Sequence, residues 1–208
     1  KLLIYSTLSP HSRKFELNGR KTRASLHTLL IGEISTAKSG ILSIINDISP
    51  QADQVSDMTK ASFIGAYDNK DDKIKEGIVD RIMDGNMLIE EYDKIDTADG
   101  LMRVVFDNSS ISVSKGQDTK SFKSVPTSII AGANPKKDFF IQGENVRDQI
   151  PFKEGELSRF DITVPLINTQ EDMERITDDM EIFGGGNNLD MDEVSDLMNQ
   201  LSTRIREV

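Results

Sequence analysis

Residues 26–49 read LHTLLIGEISTAKSGILSIINDIS. The apolar run Leu26 to Gly32 meets a glycine, as a buried strand entering a tight turn does. Beyond it, Ile41, Leu42, Ile44, Ile45 and Ile48 recur at helical spacing, and Pro50 stops the helix. The stretch therefore predicts a strand, a glycine loop and a helix. The loop itself, Gly32-Glu33-Ile34-Ser35-Thr36-Ala37-Lys38-Ser39, matches G-x-x-x-x-G-K-[ST] except that Ala37 stands for the second glycine. Successive backbone N–H groups and a helix N-terminus make a nest for anions. In such a loop a lysine reaches the β- and γ-phosphates and a Ser or Thr hydroxyl ligates Mg²⁺. The plainer alternative is a fortuitous match in an ordinary strand-to-helix turn.

Three further elements bear on that choice. Met87-Leu88-Ile89 is an apolar run closed by Glu90 and Glu91. A nucleotide hydrolase needs one carboxylate near Mg²⁺ and another to polarise water, both at the end of a strand. Two solvated glutamates leading into a turn are the competing reading. Ile129 to Ala133 ends in Asn134 and Pro135, where an amide can orient water; a turn asparagine before proline is the plainer view. Arg159, in Leu157-Ser158-Arg159-Phe160-Asp161, precedes the apolar run Ile162 to Val164 and is otherwise a surface arginine. Coincidence becomes harder to sustain with all four in this order.

The remaining chain fits around these elements. Ser110 to Val125 alternates around a KGQD turn, a hairpin signature carrying Lys115, Lys120 and Lys123. By themselves these lysines read as keeping an exposed hairpin soluble. Residues 1–25 read as short helix or coil, and Lys60 to Asn86 as an irregular, charged stretch with an exposed insertion or hairpin around Asp68 to Lys75. Helices are expected at 97–107 and 169–183. After Gly184 to Asn188, a flexible break, a last helix starts near Asp190. Apolar runs separated by helices imply parallel strands with crossover helices, hence an α/β sandwich.

Composition narrows the function classes. The 208 residues include 25 basic and 35 acidic side chains, a net charge of −10, so a strongly basic nucleic-acid binder is excluded as a whole-chain description but a local basic patch is not. Absence of cysteine rules out disulfides, thiolate metal sites and a cysteine nucleophile, and two histidines leave little room for zinc. The apolar runs are too short to span a bilayer, and the first residues lack the order of a signal peptide. No membrane association is expected, and the location expected is cytoplasmic.

Taken together, these strings resemble the minichromosome maintenance (MCM) family of AAA+ ATPases, the replicative helicase motors. GEISTAKS stands where that family has GDPGTAKS, IEEYDKI where it has IDEFDKM, AGANP where it has AAANP, and ELSRFD where it has LLSRFD. The hairpin Ser110-Ile111-Ser112-Val113-Ser114-Lys115-Gly116 is similar to its T-I-S-I-A-K-A-G. The similarity runs from about Gly19 to Phe183.

The resemblance implies an AAA+ P-loop three-layer sandwich with a parallel central sheet and inserted β-hairpins, the lid subdomain missing or reduced. It implies a core at 1–183 and a linker with a C-terminal helix at 184–208. It implies ATP and Mg²⁺ as ligands: Gly32 to Ser39 cradling phosphate, Lys38 binding it, Ser39 and Glu90 serving the metal. Glu91 would activate water, Asn134 would sense it, and Arg159 would act as a finger on the neighbour's nucleotide. Lys115, with Lys120 and Lys123, would face DNA in the channel of a ring, a hexamer. Such a protein works at the nucleoid, or in the nucleus of a eukaryote. Two departures stand out: Ile34-Ser35 replaces Pro-Gly, and Glu90 replaces aspartate. They leave two rivals open, a non-catalytic regulatory homologue and a protein-remodelling AAA+ ATPase.

Overall fold

Apolar runs without alternation belong to strands covered on both faces. The structure, a computed structural model, describes residues 2–11, 15–17, 20–22, 25–34, 36–56, 58–95, 100–115, 118–167 and 195–200. Its central sheet has five parallel strands: β1 (Thr28–Gly32), β2 (Ala52–Val55), β3 (Asn86–Ile89), β4 (Ser128–Ala133) and β5 (Ile162–Leu166), in the order β5-β1-β4-β3-β2. Every residue of β1, β3 and β4 is buried, whereas the edge strands β2 and β5 are only partly covered. Pro165 lies in β5, at the sheet edge where a missing N–H is tolerated.

Up to β5, the α-helices among the described residues are α1 (Leu2–Leu8), α2 (Lys38–Ile48), α3 (Lys60–Ile64), α4 (Ile78–Ile82), α5 (Leu101–Phe106) and α6 (Glu154–Leu157). Alternation along each strand divides the core in two. Leu88 and Ile130 meet Leu42 and Ile45 of α2, with Leu3 of α1 at the margin. Leu29, Ile31, Met87, Ile89 and Ile129 face the other way, into a larger cluster with Phe63, Val79, Ile82 and Met102 from α3, α4 and α5. Each such fully buried side chain contributes about 1.5–3 kcal/mol. The result is the expected α/β three-layer sandwich, with helices on both faces of a parallel sheet and antiparallel hairpins attached.

Several segments depart from expectation. The N-terminal 25 residues contain α1 and a hairpin, Phe15–Leu17 with Arg20–Thr22. The stretch read as irregular holds the expected hairpin, Tyr67–Asp68 with Lys73–Ile74, but α3 and α4 flank it. Thr59 starts α3 with a reciprocal capping box: its hydroxyl accepts from the Ser62 N–H while Ser62 Oγ accepts from the Thr59 N–H. β2 was not foreseen at all. Of the C-terminal expectations, residues 195–200 are helical. The helix at 169–183, the glycine break and the domain boundary beside it lie outside the described residues.

Candidate nucleotide-binding site

β1 delivers the chain to Gly32, where the loop folds back tightly. A Cβ there would lie 2.4 Å from Thr36 Oγ1 and 2.9 Å from Leu166 Cβ, so only glycine fits. The loop leaves through Ala37, which takes a left-handed conformation (φ 58°, ψ 20°) and caps α2 without a side-chain acceptor. The N–H groups of the first turn of α2 are thereby left for another acceptor. Thr36 Oγ1 donates to the Glu33 carbonyl at 2.8 Å, and the Glu33 carboxylate accepts the Phe140 N–H at 2.9 Å. Ile34 is 66% exposed, and Ser39 is exposed at the start of α2. Ser35 lies outside the described residues.

Lys38 is turned over its own loop. Its ammonium donates to the Gly32 and Glu33 carbonyls, each at 2.7 Å, and to Thr36 Oγ1 at 3.4 Å. Burial lowers its pKa, against the opposing charges of Asp93 and Glu33. These are bonds from a cation to neutral acceptors, which anionic phosphate oxygens can replace with stronger cation–anion ones.

The strand order sets what faces this loop. β4 lies between β1 and β3, with Ala133 opposite Ile31 and Ala131 opposite Ile89. Asn134 therefore emerges between the loop and the acid pair. Its backbone N–H donates to Asp93 Oδ1 at 3.2 Å. Asp93 thus touches the strand end carrying Asn134 and acts electrostatically on Lys38. Sequence reading missed it, because it lies past the strand among the polar residues of a turn, where periodicity carries no signal.

The two glutamates diverge. Glu90 accepts a hydrogen bond from Gln54 Nε2 on the edge strand β2. Glu91 is exposed and pairs with Lys94 Nζ at 2.5 Å, which raises the pKa of that lysine. No group of three His, Asp or Glu among the described residues is disposed to hold a metal ion. Mg²⁺ fits here only in the manner of a phosphate-bound ion, which keeps waters and phosphate oxygens among its ligands.

Arg159 is elsewhere. It precedes β5, whose Ile162 is level with Thr28 while Leu166 is level with Gly32. The length of β1, roughly 13 Å at 3.3 Å per residue, separates the start of β5 from the phosphate loop. Arg159 Nη1 instead bonds Asp107 Oδ1 at 2.8 Å.

The lysine hairpin, Ile111–Lys115 with Asp118–Phe122, is antiparallel as expected. Lys120 Nζ is held at 2.5 Å from Asp80 of α4 and 3.2 Å from the Lys75 carbonyl. The hairpin also touches the shorter one, through Asp118 Oδ2 accepting the Ile74 N–H at 2.8 Å. Lys123 is exposed just beyond the second strand, and the Lys115 backbone pairs with Asp118 beside the turn.

A parallel sheet with a glycine-to-helix loop after β1, and acids closing a strand two places away, defines a P-loop nucleotide-binding domain. The MCM P-loop domain model matches residues 3–180, and the chain belongs to that family. It is 28% identical over 162 residues to the zygotic DNA replication licensing factor mcm6 of Xenopus tropicalis, covering 74% of this chain and 20% of the relative. It is 30% identical over 178 residues to the DNA replication licensing factor MCM5 of Arabidopsis thaliana, covering 82% and 24%. For the DNA replication licensing factor MCM4 of Drosophila melanogaster the identity is 26%, with coverage of 77% and 19%. The chain therefore spans about a fifth to a quarter of the length of these curated relatives and is a divergent member. No helix among the described residues is long and apolar enough to cross a membrane.

Proposed function

We propose that this chain is the ATP-binding motor core of an MCM-type helicase that hydrolyses ATP and acts on DNA in replication. The observation that carries this reading is the emergence of Asn134 between the phosphate loop and the acid pair, with Arg159 at the far end of the same sheet. Lys38 exchanges its loop carbonyls for the β- and γ-phosphates. Ser39, with Glu90 behind it, would hold Mg²⁺, and the ion when bound would supply positive charge against the phosphates. Glu91 leaves Lys94 to polarise the attacking water, and Asn134 orients it. The arginine at the γ-phosphate comes from the next chain in a ring, a hexamer. Lys115 and Lys123 contact the DNA backbone, while Lys120 ties the hairpin to Asp80. Work on DNA places the protein at the nucleoid, or in the nucleus of a eukaryote.

ATP turnover measured with and without DNA, at concentrations that favour assembly, tests the reading. Glu91→Gln is expected to keep nucleotide binding and lose turnover by about 10²–10⁴-fold. Lys115→Ala and Lys123→Ala are each expected to reduce the salt slope of DNA binding by about 0.7–0.9, since each removes one phosphate contact. An unchanged slope would take the hairpin away from DNA. The second reading, a non-catalytic homologue, is favoured by Lys38 being bonded within its own loop and by Ile34-Ser35 in place of Pro-Gly. Absence of wild-type turnover in every assembly state would select it. Turnover that ignores DNA but responds to a protein substrate would select a remodelling ATPase.

A further inference from the structure

Asp107 follows the last residue of α5, and the helix closes tightly around it. Its N–H bonds the Arg103 carbonyl at 2.8 Å, Asn108 takes a left-handed conformation (φ 45°), and the Ser109 N–H reaches the Val104 carbonyl at 2.9 Å. A carboxylate at a helix C-terminus has the unfavourable sign for the helix dipole, so the helix itself gives no reason for an acid here. What Asp107 does meet is Arg159, Nη1 to Oδ1 at 2.8 Å.

The residues flanking this pair fix its geometry. Phe106 precedes Asp107 and Phe160 follows Arg159, and these two rings stand edge to face with centroids 5.0 Å apart and an interplanar angle of 80°. Phe160 is also edge-on to Tyr92 at 5.2 Å, and Tyr92 directly follows Glu91. Phe160 and Tyr92 are 7% and 3% exposed, so neither backbone can shift without repacking the cluster. The Arg159 side chain, by contrast, is 29% exposed and lines an open cavity of about 420 Å³. Arginine carries five N–H donors in a rigid fork. Asp107 engages Nη1 and leaves the other donors for an acceptor outside.

We propose that Asp107 is a positioning residue that aims the Arg159 guanidinium at phosphate bound by a neighbouring chain. The proposal rests on the trans reading of Arg159 given above. Asp107 sets the direction of the fork, and the Phe106–Phe160 contact sets the spacing of the two backbones. Loss of Asp107 leaves the arginine present but unaimed, which lowers turnover without changing nucleotide affinity at the chain's own loop.

Two measurements test this. In the first, Arg159 Nε–H relaxation is recorded by NMR on the full chain, which needs no assembly. Asp107→Asn is expected to make the guanidinium more mobile and Asp107→Glu to restore its order. Unchanged relaxation in Asp107→Asn overturns the proposal.

The second is a turnover cycle on Asp107→Ala, Arg159→Ala and the double variant, with ATP affinity measured in parallel. Asp107→Ala is expected to lower kcat by about tenfold or more, the scale of a misplaced catalytic group, with ATP affinity unchanged. It should have no further effect when Arg159 is already alanine. Mixing Asp107→Ala chains with Lys38→Ala chains should return part of the activity, because the second chain supplies an aimed arginine to an intact loop. If Arg159→Ala lowers turnover but Asp107→Ala adds an independent loss in both backgrounds, the positioning role is wrong while the trans arginine stands. If Arg159→Ala leaves turnover intact, the trans reading fails and the proposal fails with it.

Discussion

At the carboxyl end of β1, Lys38 is held by polar contacts to Gly32, Glu33 and Thr36 within its own loop. Before the amino end of β5, Arg159 is held beside Asp107 on a platform of packed rings, Phe106, Phe160 and Tyr92. Both cations face phosphate in the proposed function, yet they are secured by different physics. Hydrogen bonds from an ammonium to carbonyls are worth about 1.5–3 kcal/mol each and exchange for a ligand's anionic oxygens, which hold the cation more strongly. Aromatic rings prefer the edge-to-face arrangement seen here and are packed into the core, so no ligand replaces their contacts. One end is therefore built to rearrange on binding, and the other to present a finished surface to another molecule.

The trans reading of that difference predicts the largest effect. Arg159→Ala is expected to lower ATP turnover by about 10³–10⁵-fold while leaving ATP binding intact. Mixing it with Lys38→Ala chains, at ATP concentrations too low to fill the weakened loop, should restore activity at interfaces that combine an intact loop with an intact arginine. Co-assembly without any recovery would mean that the far end of the sheet serves its own chain, or structure alone. A local pairing of Arg159 would instead show up only as a small stability change, since exposed ion pairs are worth at most about 1 kcal/mol.

The loop end predicts a smaller, purely local loss. Lys38→Ala removes one charge-assisted phosphate contact and is expected to weaken ATP binding by about 10- to 150-fold in calorimetry. Fold stability should change little, because Lys38 is only half-buried and Glu33 and Thr36 beside it are likewise partly exposed. Equal affinity in both chains would mean that the loop holds no nucleotide, and the contrast between the two ends would lose one side.

The loop end was legible in the sequence and the arginine end much less so. β1, its glycine and α2 combine an apolar run, a turn and a helical repeat in 24 residues, so local periodicity suffices. Met87-Leu88-Ile89 and Ile129 to Ala133 were legible because fully buried strands cannot alternate. β2 was not: of Ala52, Asp53, Gln54 and Val55 only Val55 is buried, so an edge strand reads as polar loop. α3 and α4 have five residues each, too few for a 3.6-residue period to declare itself. Asp107 and Asp93 gain meaning only from contacts across 52 and 41 residues of chain. Arg159 stood out by its place before an apolar run, but its role came from the family resemblance alone, since nothing in Leu157 to Asp161 says where its partner lies.

Acid offers the mildest way to separate the two ends, through His27. This residue precedes β1, is 7% exposed, and packs edge-on against Phe106 at 5.0 Å, so it belongs to the arginine's side of the molecule. Its Nδ1 accepts the Ile129 N–H at 3.1 Å, which only a ring unprotonated at Nδ1 can do. Burial pushes its pKa down to about 4, opposed by the nearby Asp161 carboxylate. The unfolded chain, with the ordinary value of about 6.5, binds more protons than the folded one between these two values. Stability is therefore full above pH 6.5 and falls as pH drops towards 4. The loss from this residue is about 1.4 kcal/mol by pH 5.5 and at most about 3 kcal/mol below pH 4. Urea unfolding of wild type and His27→Asn across pH 5 to 7.5 isolates the effect from other carboxylates, which titrate alike in both. Asparagine keeps an acceptor and does not titrate here, so the wild type should lose about 2 kcal/mol more than the variant over that range. Parallel pH profiles would show that His27 is protonated without cost and that the ring cluster is looser than its packing implies. A steeper wild-type profile would place the acid-sensitive seam under Arg159 rather than at the phosphate loop.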